Sequence, residues 1–437
     1  MENKINTRRV ALDTLDKIEA AGQYSNIALD TAISRTGVLG SDRGLLTALV
    51  YGVIEKKITL DYVIDGMSSI PPSKIEKSTR NILRMGLYQL AFLDRIPDHA
   101  AINESVSLAG RRSKGFVNAL LRGFVRNEKK IALPEPCEGE VRYLSVKYSV
   151  SEKVVQLFLD AFGRERAESL LSAMDREPHI TLRVNTLKIS RDEMLKKLAE
   201  AGIKAEKTAI SDAGIRICEG AYSDIPGESE GLWFVQDEAS QICAAVLGAS
   251  AGETVIDSCS CPGGKSFSAA IGMGNEGRVM SFDLHENKLS LVRAGAERLG
   301  IDIIETAERD GKVYDASLSE CADRLICDVP CSGLGVIAKK PDIRYKNDDI
   351  ERLPLLQREI AKNCSKYLRK GGVMVYSTCT VLPKENEENV KALLSECPEL
   401  YLMPFEVCGK ASESGMLTLY PDRDKTDGFF IAKLGKR

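Results

Sequence analysis

The stretch "ETVIDSCSCPGGKS", Glu253–Ser266, decides how the rear half of this chain is built. An apolar run short enough for a buried strand stops at an acid, Asp257. A polar turn then closes on two adjacent glycines, Gly263 and Gly264, before a helical segment begins. Glycines at a strand-to-helix turn let the backbone approach a ligand closely. The spacing is neither G-x-G-x-x-G nor a Walker loop, because no glycine lies five residues ahead of the Gly-Lys pair, so a pyrophosphate cofactor is not favoured. Taken alone, the stretch reads as a tight turn and no more.

Working outward, the same grammar repeats. "RVMSFDL", "RLICDVP" and "GGVMVYSTC" are further strands, separated by helical segments such as "ENKLSLVRAGAERLG". Strands alternating with helices of that length imply parallel crossovers and a doubly wound sheet, whose ligand lies beyond the carboxyl ends of the strands. The unusual residues stand at those ends. Asp283 falls 26 residues past Asp257, an offset suited to the vicinal hydroxyls of a ribose. Asp310 in "ERDGK" and Asp328 end the next two units, and four acids beside a glycine turn fit a bound adenosine. Cys331 in "DVPCSG" and Cys379 in "YSTCTVLPKENEEN" also follow strands, whereas Cys243 and Cys364 lie on helical faces and read as small buried hydrophobes. Two strand-end thiols, one of them three residues past an acid, point to nucleophilic chemistry.

The front of the chain differs. Residues 1 to about 130 read as helices only, from "RRVALDTLDKIEAAG" and "TRNILRMGLYQLAFL" with apolar residues at three- and four-residue spacing. Asp98, after Pro97, reads as the cap of a following helix. In "RRSKGFVNALLRGFVRNEKK" an apolar stripe of Phe116, Val117, Leu120, Leu121, Phe124 and Val125 is surrounded by Arg111, Arg112, Lys114, Arg122, Arg126, Lys129 and Lys130. A solvated helix face and an RNA phosphate contact are equally good readings of those cations. The net charge of the 437 residues is only -3, but residues 1–130 hold 20 Lys and Arg against 14 Asp and Glu, leaving 40 against 49 for the rest. After the proline-bearing "IALPEPCEGE", a helical stretch, the strand "HITLRVNTLKI" and the helix "RDEMLKKLAEAGI" outline a small α/β unit that ends near "GESEGLWFVQDEASQ".

Several classes are disfavoured. Twelve irregularly spaced cysteines with no signal peptide read as reduced thiols of a cytoplasmic protein. The three histidines, His99, His179 and His285, neighbour no Cys-x-x-Cys pair, which argues against a metal site and against thiol-redox chemistry. No apolar run reaches the roughly 18 residues that a membrane span requires.

The motifs "DSCSCPGGKS", "DVPCSGLGVIAKKPDIRY" and "YSTCTVLPKENEEN" are similar to those of S-adenosylmethionine-dependent RNA cytosine-5 methyltransferases, and "AINESVSLA" and "FVNALLRGF" resemble the NusB-like RNA-binding domain of one branch, the RsmB (Sun/Fmu) family. That resemblance spans nearly the whole chain. It implies a multidomain protein: an all-α NusB-like domain over 1–135, a small α/β connecting domain over 136–235, and a Rossmann-like methyltransferase domain over 236–437. It implies S-adenosyl-L-methionine as cofactor, held by Cys259, Ser260, Cys261, Pro262, Gly263, Gly264, Lys265, Asp283, Lys288, Asp310 and Asp328, no metal, and 16S ribosomal RNA or a small-subunit assembly intermediate as partner. By the same resemblance Cys379 is the nucleophile, Cys331 serves product release and Asp328 meets N3 of the base. Ser260 and Cys261 replace the family's usual pair of alanines, and Tyr345 stands where a tryptophan is common.

The chemistry accounts for these residue types. A thiolate adding to carbon 6 of cytosine turns carbon 5 into an enamine carbon able to take a methyl group, and an acid at N3 accepts the developing charge. A free thiol, with a pKa of roughly 8.5, needs activation, for which Lys265 is one candidate. The basic "KKPDIRY", Lys339–Tyr345, is suited to phosphate contact and base stacking. Attack by Cys331 instead of Cys379, another ribosomal or transfer RNA target, and a catalytically silent RNA-binding assembly factor remain open readings.

Overall fold

The computed structural model describes residues 5–176, 178–220, 222–345 and 350–437. Two compact units emerge, one of Met1–Asp175 with Lys339–Asn347 and one of Arg176–Ala338 with Asp348–Arg437.

The first unit is helical: α1 (Thr7–Ala21), α2 (Ser25–Thr36), α3 (Gly40–Glu55), α4 (Lys57–Met67), α5 (Lys77–Phe92), α6 (Asp98–Leu108), α7 (Lys114–Arg126), α8 (Glu140–Tyr148), α9 (Glu152–Phe162) and α10 (Arg164–Met174). The expected apolar faces build one core from Leu12, Leu46, Leu49, Leu83, Leu121 and Phe124. The stripe on α7 divides as helical spacing demands: Val117, Leu120, Leu121 and Phe124 are buried, while Arg111, Arg112, Lys114, Arg122, Arg126 and Lys130 stay in solvent. Lys129 is ion-paired with Asp98 at 2.6 Å. Asp98 is therefore the first helical residue rather than the cap, which is Pro97, and its charge sits where a helix N-terminus favours an anion.

The basic segment Lys339–Tyr345 departs from the sequence reading. It packs on this helical unit, and its recognition side chains are consumed there. Arg344 is 2% exposed and donates to the carbonyls of Tyr148 (2.8 Å) and Met174 (3.1 Å) and to Asp175 (3.1 Å). The Tyr345 hydroxyl bonds the Ile54 carbonyl and lies 3.0 Å from Ser149 Oγ. Asp342 takes the Ser25 hydroxyl at 2.5 Å, capping the start of α2. Neither Arg344 nor Tyr345 is available for phosphate contact or base stacking, because unsatisfied backbone carbonyls of the helices have claimed them.

The second unit begins with a small antiparallel sheet of β1 (Ile180–Val184), β2 (Lys204–Lys207), β3 (Gly214–Glu219) and β4 (Trp233–Val235), in the order β2-β3-β1-β4. Helix α11 (Arg191–Glu200) is started by a Ser190–Glu193 capping box and buries Met194 and Leu198 against it. After α12 (Glu238–Leu247) come the large sheet and its helices, β5 (Thr254–Asp257), α13 (Gly264–Gly272), β6 (Arg278–Asp283), α14 (Glu286–Leu299), β7 (Ile304–Glu308), β8 (Ala322–Asp328), α15 (Leu353–Cys364), β9 (Leu368–Thr378), α16 (Glu387–Glu396), β10 (Leu400–Leu402), β13 (Met416–Leu419) and β14 (Phe429–Lys436), with β11 (Phe405–Val407) and β12 (Lys410–Ser412) forming a separate two-stranded sheet before β13.

The strand order is β10-β14-β9-β8-β5-β6-β7, with β13 also on β14. The parallel crossovers expected from sequence hold for β5 to β9, but β14 enters antiparallel beside β9, so the sheet is mixed. Central strands are sealed on both faces: Val255, Ile256, Leu325, Ile326, Met374 and Val375 are all at most 1% exposed. The chain winds outward through β5, β6 and β7, then returns to the other flank of β5 with β8. That reversal is the sheet's switch point, and Asp257 and Asp328 stand at the ends of the two strands flanking it, β5 and β8.

Candidate active site

The glycine turn after β5 is shaped by close packing. Gly263 has φ +108° and a Cβ there would fall 2.4 Å from the Phe267 ring, so only glycine fits. Ser260 ties the turn to the next strand through N–H to the Phe282 carbonyl at 2.8 Å. Two polar atoms in this turn are sealed from solvent without a hydrogen-bond partner, Asp257 Oδ1 and Ser260 Oγ. Oδ2 of Asp257 takes the Ser266 hydroxyl at 2.6 Å. Burial pushes the Asp257 carboxyl up to about 7, and the neighbouring Asp328 adds to that rise.

Beyond β6, Asp283 faces Cys261, whose thiol is pushed up to about 12, first by burial and then by that carboxylate. Its Oδ1 receives the His285 N–H at 3.1 Å. The Arg309 N–H donates to the Asp283 carbonyl at 2.9 Å, drawing the turn after β7 alongside. Asp310 in that turn bonds its own loop, taking the Lys312 N–H at 3.0 Å. Lys288 is exposed on α14, Pro262 is exposed in the glycine turn, and Cys259 packs against the core formed by β8, β9 and α15.

At the end of β8 both oxygens of Asp328 are engaged. Lys265 Nζ donates to Oδ2 at 2.6 Å and the Ser377 hydroxyl to Oδ1 at 2.7 Å. Lys265 also lies 5.0 Å above the Phe429 ring. Burial pulls the ammonium down, but Asp328, then Cys243 and Asp257, carry it above its ordinary range. Lys265 is thus a fixed cation belonging to Asp328, and its ammonium also reaches the Ser240 hydroxyl at 3.5 Å.

The two strand-end thiols are in direct contact. Cys331 Sγ and Cys379 Sγ are 3.1 Å apart, longer than the roughly 2.05 Å of a disulfide and within hydrogen-bonding reach. Neither forms a disulfide, and both are only partly buried. The hydrogen bond to Cys379, burial, and then Cys379, Glu385 and Asp328 as neighbouring charges hold the Cys331 thiol well above the ordinary thiol range. Backbone contacts fix the pairing: Gly335 N–H donates to the Cys379 carbonyl at 3.0 Å. A Cβ on Gly335 would strike the Gly428 carbonyl oxygen at 1.9 Å, so these loops approach only because both residues are glycine.

A buried polar network lies next to the thiols and was absent from the sequence reading. Glu385, Gln357, Asn386, Asn389, Thr380 and Ser332 are each at most 3% exposed. Ser332 donates through N–H to Glu385 Oε2 (2.9 Å) and through its hydroxyl to Thr380 Oγ1 (2.9 Å). Ser377 was legible from its place two residues before Cys379, since alternate residues of a strand share a face. Gln357, on a distant helix, left no signal. Among the described residues there is no group of three or more His, Cys, Asp or Glu able to hold a metal, and no helix long and apolar enough to cross a membrane.

Comparison with known proteins agrees with this layout. Residues 244–435 match the 16S rRNA methyltransferase RsmB/F family, 5–126 the NusB family, and 154–222 the RsmF/B-like ferredoxin-like domain. A probable ribosomal RNA small subunit methyltransferase B of Bacillus subtilis is 36% identical over 99% of both chains. The ribosomal RNA small subunit methyltransferase B of Klebsiella pneumoniae is 33% identical over 100% of both. The solved structure of PH0851 superposes over 100% of both chains with a TM-score of 0.82 at 24% identity, which shows the shared fold. A methyltransferase homologue from Pyrococcus horikoshii, 28% identical, covers 68% of this chain and 99% of its own with a TM-score of 0.60. Full-length identity above 30% to these relatives, over a helical front, a ferredoxin-like sheet and a mixed-sheet rear, makes the chain a member of the ribosomal RNA small subunit methyltransferase B family.

Proposed function

We propose that the chain methylates carbon 5 of one cytosine in 16S ribosomal RNA, free or in a small-subunit assembly intermediate, in the cytoplasm, through a transient Cys379–carbon 6 bond. The observation that carries this reading is the 3.1 Å contact between two strand-end thiols, in a chain whose Lys265–Asp328 ion pair lies at the neighbouring strand end.

The residues present fit S-adenosyl-L-methionine. The sealed, unpartnered Asp257 Oδ1 and Ser260 Oγ and the glycine-only turn offer polar contacts at close backbone approach. Cys259 to Lys265, Asp283, Lys288, Asp310 and Asp328 are proposed to line that site, with Asp283 on the ribose. When bound, this cofactor supplies an electrophilic methyl group to carbon 5.

The chain's own residues do the rest. Cys379 Sγ gives an electron pair to carbon 6, and the ring's π electrons shift toward carbon 5 and N3. A proton of the Lys265 ammonium, relayed through Asp328, goes to N3 as negative charge arises there and returns to Lys265 once carbon 5 takes the methyl group. Once carbon 5 is methylated, its proton passes to water, the C–H pair restores the ring double bond, and the C6–S bond breaks with its pair on Cys379 Sγ. With Cys379 entering as thiolate and Cys331 as thiol, Cys331 protonates the leaving sulfur, so the pair ends with the single proton it began with. The exposed cations of residues 111–130 are proposed to bind RNA phosphates, in a modular division at 1–135, 136–235 and 236–437. Incubating the protein with unmodified 16S RNA and methyl-labelled S-adenosylmethionine should yield 5-methylcytosine at one position. Stoichiometric RNA binding without label transfer would favour a non-enzymatic assembly factor.

A further inference from the structure

Cys331 is gripped on both sides by one buried pair. The carbonyl before it, of Pro330, accepts from Gln357 Nε2 at 3.1 Å, and the N–H after it, of Ser332, donates to Glu385 Oε2 at 2.9 Å. Gln357 Nε2 also bonds Glu385 Oε2, at 2.7 Å. The far end of Gln357 is fixed in turn: its Oε1 receives Asn389 Nδ2 (3.1 Å) and the Tyr376 hydroxyl (3.2 Å). That hydroxyl lies 2.8 Å from the Glu385 carbonyl. Tyr376 stands on β9, three residues before Cys379, and Glu385 stands six residues after it. The strand that delivers one thiol and the loop after it therefore supply Tyr376 and Glu385 to the clasp on the other, with Gln357 coming from α15.

Burying a carboxyl group in this way is a poor device for stability. Glu385 is 1% exposed and its Oε1 is sealed with no hydrogen-bond partner, where an apolar side chain of similar volume would fill the space at lower cost. Its geometry instead specifies the two backbone groups flanking one sulfur.

We infer that Glu385 and Gln357 are positioning residues, a clamp that holds the Cys331 thiol against Cys379 so that it can return its proton to the departing sulfur. This rests on the release role given to Cys331 above. In the Glu385→Gln variant, the carboxamide oxygen can take both bonds that Oε2 now receives, and the clamp survives. In Glu385→Ala it is lost. Gln357→Met removes the Pro330 link without touching the Ser332 bond, and serves should the alanine variant fold poorly.

The test has two readouts on the full-length chain. Iodoacetamide alkylation of Cys331, followed by mass spectrometry with buried Cys243 as the gauge of global opening, should be about tenfold faster or more in Glu385→Ala and Gln357→Met, and within about threefold of wild type in Glu385→Gln. In single-turnover reactions with RNA the first two should accumulate the covalent protein–RNA adduct, and Glu385→Gln should not. Wild-type alkylation of Cys331 in all three variants would overturn the clamp, as would equal damage in Glu385→Gln and Glu385→Ala. Faster alkylation with wild-type adduct release would leave the clamp standing and remove Cys331 from the release step.

Discussion

Two segments of this chain look alike in sequence and part company in the fold. "DVPCSG" with "YSTC" and "KKPDIRY" both place reactive or charged side chains in a loop after β8 or β9. At the first, the protein leaves polar groups unfinished: two thiols meet at 3.1 Å without a disulfide, and sealed oxygens of Asp257 and Ser260 in the turn after β5 lack partners. At the second, Arg344 Nη1 and Nη2 and the Tyr345 hydroxyl are spent on the helical unit's carbonyls, and only Arg344 Nε is sealed without a partner. The same residue types serve reaction or architecture according to whether the protein itself satisfies them.

Substitutions can break that contrast. The largest effect is expected for Asp328→Asn, which removes the charge opposite Lys265: kcat in methyl transfer should fall about a hundredfold or more, with folding by circular dichroism retained. Arg344→Ala should do the reverse, lowering stability by about 2–3 kcal/mol through the orphaned carbonyls of Tyr148 and Met174, with Asp175 still paired to Lys56, while the folded fraction keeps its turnover. Denaturant titration and activity per folded molecule separate the two. Tyr345→Phe should cost about 1–2 kcal/mol, the loss of a buried acceptor's partner.

Asp257 gives a smaller, pH-dependent test. Its carboxyl is raised from 3.8 to about 7 by burial, so the neutral form is the one the fold prefers. A raised folded pKa leaves its stabilising preference intact below pH 3.8 and erodes it progressively as pH climbs to about 7. Asp257→Asn should therefore raise the melting temperature at pH 8 relative to wild type, with the gain shrinking toward pH 4, as thermal denaturation across that range would show. The smallest effect belongs to Lys340→Ala on the exposed side of the same basic segment, within about 0.5 kcal/mol.

Much of this was legible in the residues because it depends on local pattern. Short apolar runs ending in Asp257, Asp283, Asp328 and Cys379 announce strands and their carboxyl ends, and the stripe on α7 follows from helical period alone. Strand β14 was passed over because it ends in no acid or thiol, and its antiparallel entry is what makes the sheet mixed. Asp98 was displaced by one residue, a distinction between cap and first turn that depends on backbone angles rather than residue type. Partner choice was out of reach: nothing local tells Arg344 to meet carbonyls of Tyr148 and Met174, more than 160 positions earlier, or Gln357 to meet Glu385. Polar side chains declare their capacity in sequence, and only tertiary structure declares who fills it.

The sulfur of residue 379 decides the account. Cys379→Ala and Cys331→Ala proteins, each incubated with unmodified 16S RNA and S-adenosylmethionine and resolved on denaturing gels, should behave oppositely: a slow-migrating protein–RNA species builds up with Cys331→Ala and never forms with Cys379→Ala. Adduct in the Cys379→Ala lane, or none in either, would contradict it.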